Sequence, residues 1–232
     1  MNQEVALILF EFAVLVFAFS IHEAAHAWMA SRLGDQTARM LGRVTLNPLK
    51  HIDPLGSVIM PLIAAFYHFP MIGWAKPTPV TGRNFKNFKR DDILVTIAGP
   101  ISNLITAFVC VLLLIVVKHA VHGGWDAILN AAAFARRSPE ASLAGQSILF
   151  PIVLLLYIGI LLNLLLFAFN LLPIPPLDGS RVLTHFLSPR LADLYNRMGM
   201  FSLILIFLVG GRLIGVVYYP LLGIFNGMLD AL

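Results

Sequence analysis

His22, Glu23 and His26 stand in the order His-Glu-x-x-His inside a long apolar run. On a helix, positions four apart share a face, so the two imidazoles can aim at one point. Neutral imidazole nitrogens at that spacing suit a divalent metal, zinc above all. Glu23 lies about 100° round the helix from His22, beside such a metal rather than on it. That position suits a general base for a water at the metal. The competing reading, two core histidines and a chance glutamate, is weak. Ionisable groups in a run long enough to span a bilayer are costly and are rarely kept without a role.

Two histidines leave a catalytic zinc site one protein ligand short. Asp178 is the outstanding candidate, in Asn170-Leu-Leu-Pro173-Ile-Pro-Pro-Leu-Asp178-Gly179. By itself, Asp-Gly after prolines reads as a turn. Depth favours a ligand: the prolines end an apolar run where the carboxylate emerges, on the side where His22 and His26 lie. Asn103, four residues after Gly99, has two readings. Its amide could donate to a developing oxyanion, or it could make an interhelical hydrogen bond. Asn170 reads as structural, bonding backbone freed by Pro173. His51 and Asp53 read as part of a turn before Pro54, with a supporting role beside the metal as the alternative.

The elements that must position these residues are membrane helices. The 232 residues are 59% hydrophobic and only 12% charged, about half the charge of an ordinary soluble domain. Apolar runs at about 5–31, 93–117, 148–172 and 201–229 are long enough to span a bilayer. The last is interrupted by Gly210, Gly211 and Arg212, as one kinked span or two shorter pieces. Segment 55–69 is short and carries Pro61, which reads as re-entrant. The first Lys or Arg is Arg32, so the first run lacks the basic start of a signal peptide and reads as a retained helix. Cys110 lies in an apolar run and is the only cysteine, so no internal disulfide forms. The net charge of +4 reads as membrane sidedness, with no nucleic-acid partner. Placing 32–54, 71–90 and 173–200 on the cytoplasmic side gathers twelve of the sixteen basic residues there. This requires the N-terminus outside and 55–69 not to cross.

With these residues in view, the chain resembles the site-2 protease family of intramembrane zinc metalloproteases. That family pairs H-E-x-x-H on one membrane helix with N-x-x-P-x-x-x-x-D-G on another, matched by His22 to His26 and by Asn170, Pro173, Asp178 and Gly179. Gly42 to Pro48, His51 to Gly56, Gly73 to Pro77 and Ala98 to Asn103 strengthen the likeness, which covers roughly residues 20 to 182. The resemblance implies an all-α polytopic fold with a small extended or β element on the cytoplasmic side. It implies one zinc ion held by His22, His26 and Asp178, with Glu23 activating water and Asn103 a further catalytic candidate. It also implies hydrolysis of peptide bonds within or beside a substrate's transmembrane segment; with the basic residues placed as above, the active site lies toward the cytoplasmic side of the cell membrane.

Residues 73–80, with Pro77 and Pro79, cannot form a central strand. In the resembled family such extended segments receive substrate as an added strand. The alternative is an interfacial loop anchored by Trp74. Many family members carry a PDZ domain between spans or a nucleotide-binding domain after the last. Here a loop of about thirty residues stands in the first place and nothing follows Leu232, so 1–232 reads as a single membrane-embedded domain. A transporter reading would need polar residues at several depths, whereas here they cluster near one face. A non-catalytic scaffold reading would need Glu23 or Asp178 altered. The sequence sets neither the substrate nor the oligomeric state.

Overall fold

The first apolar run forms α1, Gln3–Arg32, two residues ahead of its hydropathic start. The computed structural model describes residues 3–67, 73–139, 141, 148–197, 199, 202 and 206–232. Beyond α1 the chain turns at Gly34, whose φ of +113° favours a residue without Cβ. Asp35 then gathers the exit of α1 and the segment around residue 81 on one carboxylate. It accepts from Thr37 N at 3.1 Å, Thr81 N at 2.7 Å and Asn84 Nδ2 at 2.8 Å.

Asp53 accepts from Leu55 N at 3.0 Å and Gly56 N at 2.7 Å, capping a π-helical turn, Pro54–Ile59. This turn runs into α2, Met60–Phe66. The capping role agrees with reading Asp53 as part of a turn. Thirteen helical residues rise about 20 Å, short of the roughly 30 Å hydrocarbon core. Residues 68 and 69 of the expected re-entrant segment lie outside the described residues, as do 201 and 203–205 of the last expected span.

The second run becomes α3, Phe88–Ala120, beginning five residues before the apolar stretch. Asn87 explains the early start: its side chain accepts from Arg90 N at 3.2 Å. A short helix α4, Gly124–Ala135, leads toward α5, Phe150–Asn170. α6, Asp178–Thr184, and α7, Pro189–Arg197, follow the prolines. A π-helical turn, Ile206–Gly210, enters α8, Gly211–Ala231, so Leu208–Ala231 forms one continuous apolar span. Among the described residues, four helices are long and apolar enough to cross a membrane.

The core lies where α3 and α5 meet. Leu154, Ile158 and Leu164 of α5 are buried with Ala107, Val111 and Leu114 of α3. Gly159 permits the approach, since a Cβ there would lie 2.9 Å from Cys110 Sγ. Lipid tails are as apolar as leucine, so such close packing and interhelical polar contacts hold the bundle together. Acidic Glu11 within α1 pairs with Arg137 at 3.0 Å, and Arg136 donates to the Tyr157 hydroxyl at 2.9 Å.

The late turns of α1, the early turns of α3 and the end of α5 converge: His26 of α1 bonds Val95 of α3, and Asp178 meets both histidines.

Residues 73–81 are extended, without the strand pairing that the small β element would require. Trp74 N donates to Gly56 O at 3.2 Å, Lys76 N to His51 O at 2.8 Å and Thr78 N to Glu23 Oε2 at 2.7 Å. Alternate residues thus face inward, as in a strand. Their partners belong to three separate segments, so no ladder forms. The Trp74 indole, half exposed, covers Gly56, where a Cβ would overlap the ring.

Candidate metal centre

His22 and His26, one turn apart on α1, are both buried, with ring centroids 4.6 Å apart and planes at 84°. His26 Nδ1 lies 2.7 Å from Val95 O, a carbonyl that can only accept, so Nδ1 carries the proton. His22 Nδ1 lies 2.7 Å from Asn103 Oδ1. The Asn103 orientation is fixed independently, because Nδ2 must donate to Ala18 O at 3.3 Å and to Asn163 Oδ1 at 2.9 Å. Both histidines therefore donate through Nδ1 and turn the Nε2 lone pair to the same point.

Asp178 completes that point from the first residue of α6. Its Oδ2 lies 3.1 Å from His22 Nε2 and 3.4 Å from His26 Nε2, and the two Nε2 atoms are 3.0 Å apart. A tetrahedral zinc ion with bonds near 2.0–2.1 Å separates its ligand atoms by about 3.3 Å. The buried Asp178 Oδ2 has no hydrogen-bond donor. Three lone-pair atoms packed this closely repel one another unless a cation sits among them. Gly99 keeps the space open, since a Cβ there would overlap His26 Nε2 and the His22 ring. Gly179 does the same for Asp178: a Cβ would run into the carbonyl oxygens of Leu171 and Leu172 at the end of α5. These residues fit a zinc ion in donor type, spacing and tautomer.

Glu23 stands outside the three-atom cluster. Its Oε2 accepts from Thr78 N at 2.7 Å and its carbonyl from Thr78 Oγ1 at 3.0 Å. The extended segment thus lies against the side of α1 that carries the glutamate. A cavity of about 560 Å³ between α1 and α3, lined by Ile21, Ala25, Trp28, Ala98, Ile101 and Ile105, opens elsewhere. Its α1 residues, which also include Ala24 and Met29, lie roughly 100–160° round the helix from Glu23, to either side of the opposite face. The cavity faces away from the carboxylate.

The structure thus brings His22, His26 and Asp178 together, with Glu23 adjacent and Asn103 behind His22. Asn103 is fully buried, and both its amide hydrogens are committed to Ala18 and Asn163. As placed, it has none to offer an oxyanion, and its contact is with the His22 ring. Asn170 is structural, but its partner differs from the expected one. It donates to Leu166 O at 3.0 Å, while Phe169 O, which Pro173 cannot reach, accepts from Leu172 N at 3.1 Å. His51 is buried beside this region, its Nε2 2.9 Å from Thr45 O and its carbonyl anchoring Lys76. Sequence reasoning missed Asn163 and Asp92. An amide in the middle of an apolar span was the signal for the first. The second lies among charged residues and carries no such signal.

Residues 10–208 match Peptidase family M50. Several relatives bear the name "Putative zinc metalloprotease". YwhC of Bacillus subtilis is 44% identical over 175 residues, 75% of this chain and 68% of YwhC. Rip2 of Mycolicibacterium smegmatis is 31% identical over 175 residues, 75% of this chain and 56% of that protein. Rip2 of Mycobacterium tuberculosis is 27% identical over 210 residues, 86% of this chain and 68% of its own length. No solved structure matches the chain. With a zinc-fitting triad inside a bundle of membrane-length helices, the chain belongs to peptidase family M50 and is a multi-pass membrane zinc metalloprotease.

Proposed function

We propose that the enzyme cleaves peptide bonds within or beside transmembrane segments of membrane-protein substrates, with its active site toward the cytoplasm. The observation that carries this reading is the burial of the His22, His26 and Asp178 donor atoms among helices of membrane length. Residues 1–232 act as one membrane-embedded domain. His22, His26 and Asp178 hold the zinc ion, one per chain. When bound, it supplies Lewis-acid polarisation of water and of the scissile carbonyl. Glu23 takes a proton from the attacking water as the carbon–oxygen bond forms. It then delivers a proton to the departing amine as the carbon–nitrogen bond breaks. Asn103 holds the His22 tautomer.

Substrate approaches along 73–80. A helical peptide bond is sterically guarded, so the segment must unwind, and an extended edge offers its freed backbone new partners. That edge lies beside Glu23, whereas the apolar cavity does not. Comparing membrane fragments released by the wild-type enzyme and by Glu23→Gln tests the function. Fragments ending within or next to spans, released only by the wild type, are expected. Cleavage confined to soluble loops far from any span would overturn the reading.

A further inference from the structure

Asp92 lies on α3 seven residues before Gly99 and eleven before Asn103, on the stripe that faces the metal centre. It is 6% exposed, and both its oxygens are engaged. Oδ1 accepts from Arg181 NH2 at 2.6 Å, and Oδ2 lies 2.7 Å from His185 Nε2. Arg181 belongs to α6 and His185 caps its C-terminal end. One carboxylate on α3 therefore grips the short helix whose first residue is Asp178.

α6 has only seven residues, too few to hold a helix by backbone bonds alone. The prolines before it interrupt the helical path from α5. Its position against α1 must come from tertiary contacts, and the nearly buried Asp92 carboxylate supplies two, a charge-assisted bond to the half-exposed Arg181 and a hydrogen bond with His185. The neighbouring Asp91, equally buried, does something else: it accepts from Asn87 N at 3.0 Å at the start of α3. α3 thus touches each part of the triad in turn, His22 through Asn103, His26 through Val95 and the Asp178 helix through Asp92.

We propose that Asp92 is a positioning residue that sets the third ligand: by clasping Arg181 and His185 it fixes where the Asp178 carboxylate meets His22 and His26. The inference rests on Asp178 being a zinc ligand. Groups that orient metal ligands typically contribute about 10–100-fold to metal affinity.

The test uses the full chain purified in lipid nanodiscs, with zinc affinity measured by chelator competition and the visible spectrum of the cobalt-substituted protein. Asp92→Asn is expected to weaken zinc by about 10–100-fold and to change the cobalt spectrum. Asp91→Asn, which loosens only the start of α3, is expected to lower the thermal midpoint while leaving both readouts unchanged. Arg181→Gln and His185→Ala each remove one arm of the clasp from the α6 side and are expected to give partial losses of affinity. They decide the matter if Asp92→Asn does not fold. Wild-type affinity and spectrum in folded Asp92→Asn, or in both α6-side variants, overturn the proposal. Asp178→Ala separates the two layers of inference. If it keeps wild-type zinc affinity, the ligand assignment is wrong, whatever the clasp does.

Discussion

The Thr78 backbone N–H sits 2.7 Å from Glu23 Oε2, and the Thr78 hydroxyl sits 3.0 Å from the Glu23 carbonyl. One residue of the extended segment thus holds the glutamate at two points, leaving Oε1 as the freer oxygen. A hydrogen bond to a charged group contributes about 1.5–3 kcal/mol, a neutral one about 1. Thr78→Pro removes both contacts and is expected to lower kcat roughly ten- to a hundredfold with zinc content unchanged. Thr78→Val removes only the hydroxyl and is expected to cost a few-fold. Normal cleavage by Thr78→Pro would show that the glutamate needs no such restraint.

Substitutions at the centre should separate into two kinds. His22→Ala, His26→Ala and Asp178→Ala each delete a donor atom and are expected to lose zinc and activity together. Glu23→Gln keeps the shape and the Thr78 contact while removing the proton acceptor. It is expected to retain about one zinc per chain and to lose cleavage by about 10²–10⁴-fold. Elemental analysis and a cleavage assay on one purified set read both outcomes. Full zinc and full activity in Asp178→Ala would break the pairing of α1 with α6.

Gly99→Ala places a methyl group where the His26 and His22 rings now lie. The rings are held from behind by Val95 and Asn103, so they cannot retreat without losing a buried hydrogen bond. The variant is expected to fold with unchanged helical content and to lose zinc. Wild-type zinc content in folded Gly99→Ala would mean that the rings have room to move.

Asp35 gives a pH dependence whose sign is fixed. Burial favours its neutral form, but hydrogen bonds from Thr37, Thr81 and Asn84 outweigh that and hold its carboxyl below the usual range. Its contribution is therefore complete above the unfolded value near pH 4 and is lost as pH falls through the lower folded value. The wild-type thermal midpoint is expected to drop more steeply than that of Asp35→Asn in this acid range. Parallel curves would remove Asp35 from the account.

Single cysteines at positions 36, 84, 130 and 186 test sidedness. Positions 36, 84 and 186 are expected to label from the cytoplasm and 130 from outside. Position 84 labelling with 130 would mean that 54–66 crosses.

Bilayer thickness made the spans legible, because it sets the length of an apolar run however the helices pack. Their ends were less so. α3 starts where Asn87 caps it, not where hydropathy rises. His22 and His26 could be read as a pair because metal chemistry restricts both residue type and spacing, and Asp178 because an apolar run ends at it on their side. Asn103 could not be resolved from sequence, because its role depends on what its amide hydrogens meet. Asn163 and Ala18, both distant in the chain, supply those partners. The Asp92 clasp spans 89 and 93 residues of sequence, a relation that no local pattern records.

The prolines of the extended segment have a consequence for the kind of chain it can accept. Between Trp74 and Thr78 the even residues spend their hydrogen bonds inward, while no described hydrogen bond uses the main chain of Ala75, Pro77 or Pro79. Proline has no N–H, so this outer edge is rich in acceptors and nearly bare of donors. An arriving backbone must bring the donors itself. Helices are made easy to unravel in two ways, by glycine, which loosens the chain, and by proline, which breaks it. At the weak point itself, glycine still carries an N–H to present, whereas proline does not. If substrate adds to this edge as proposed, helices loosened by glycine would pair with it better than helices broken by proline, a distinction of hydrogen-bond polarity that hydropathy alone does not make.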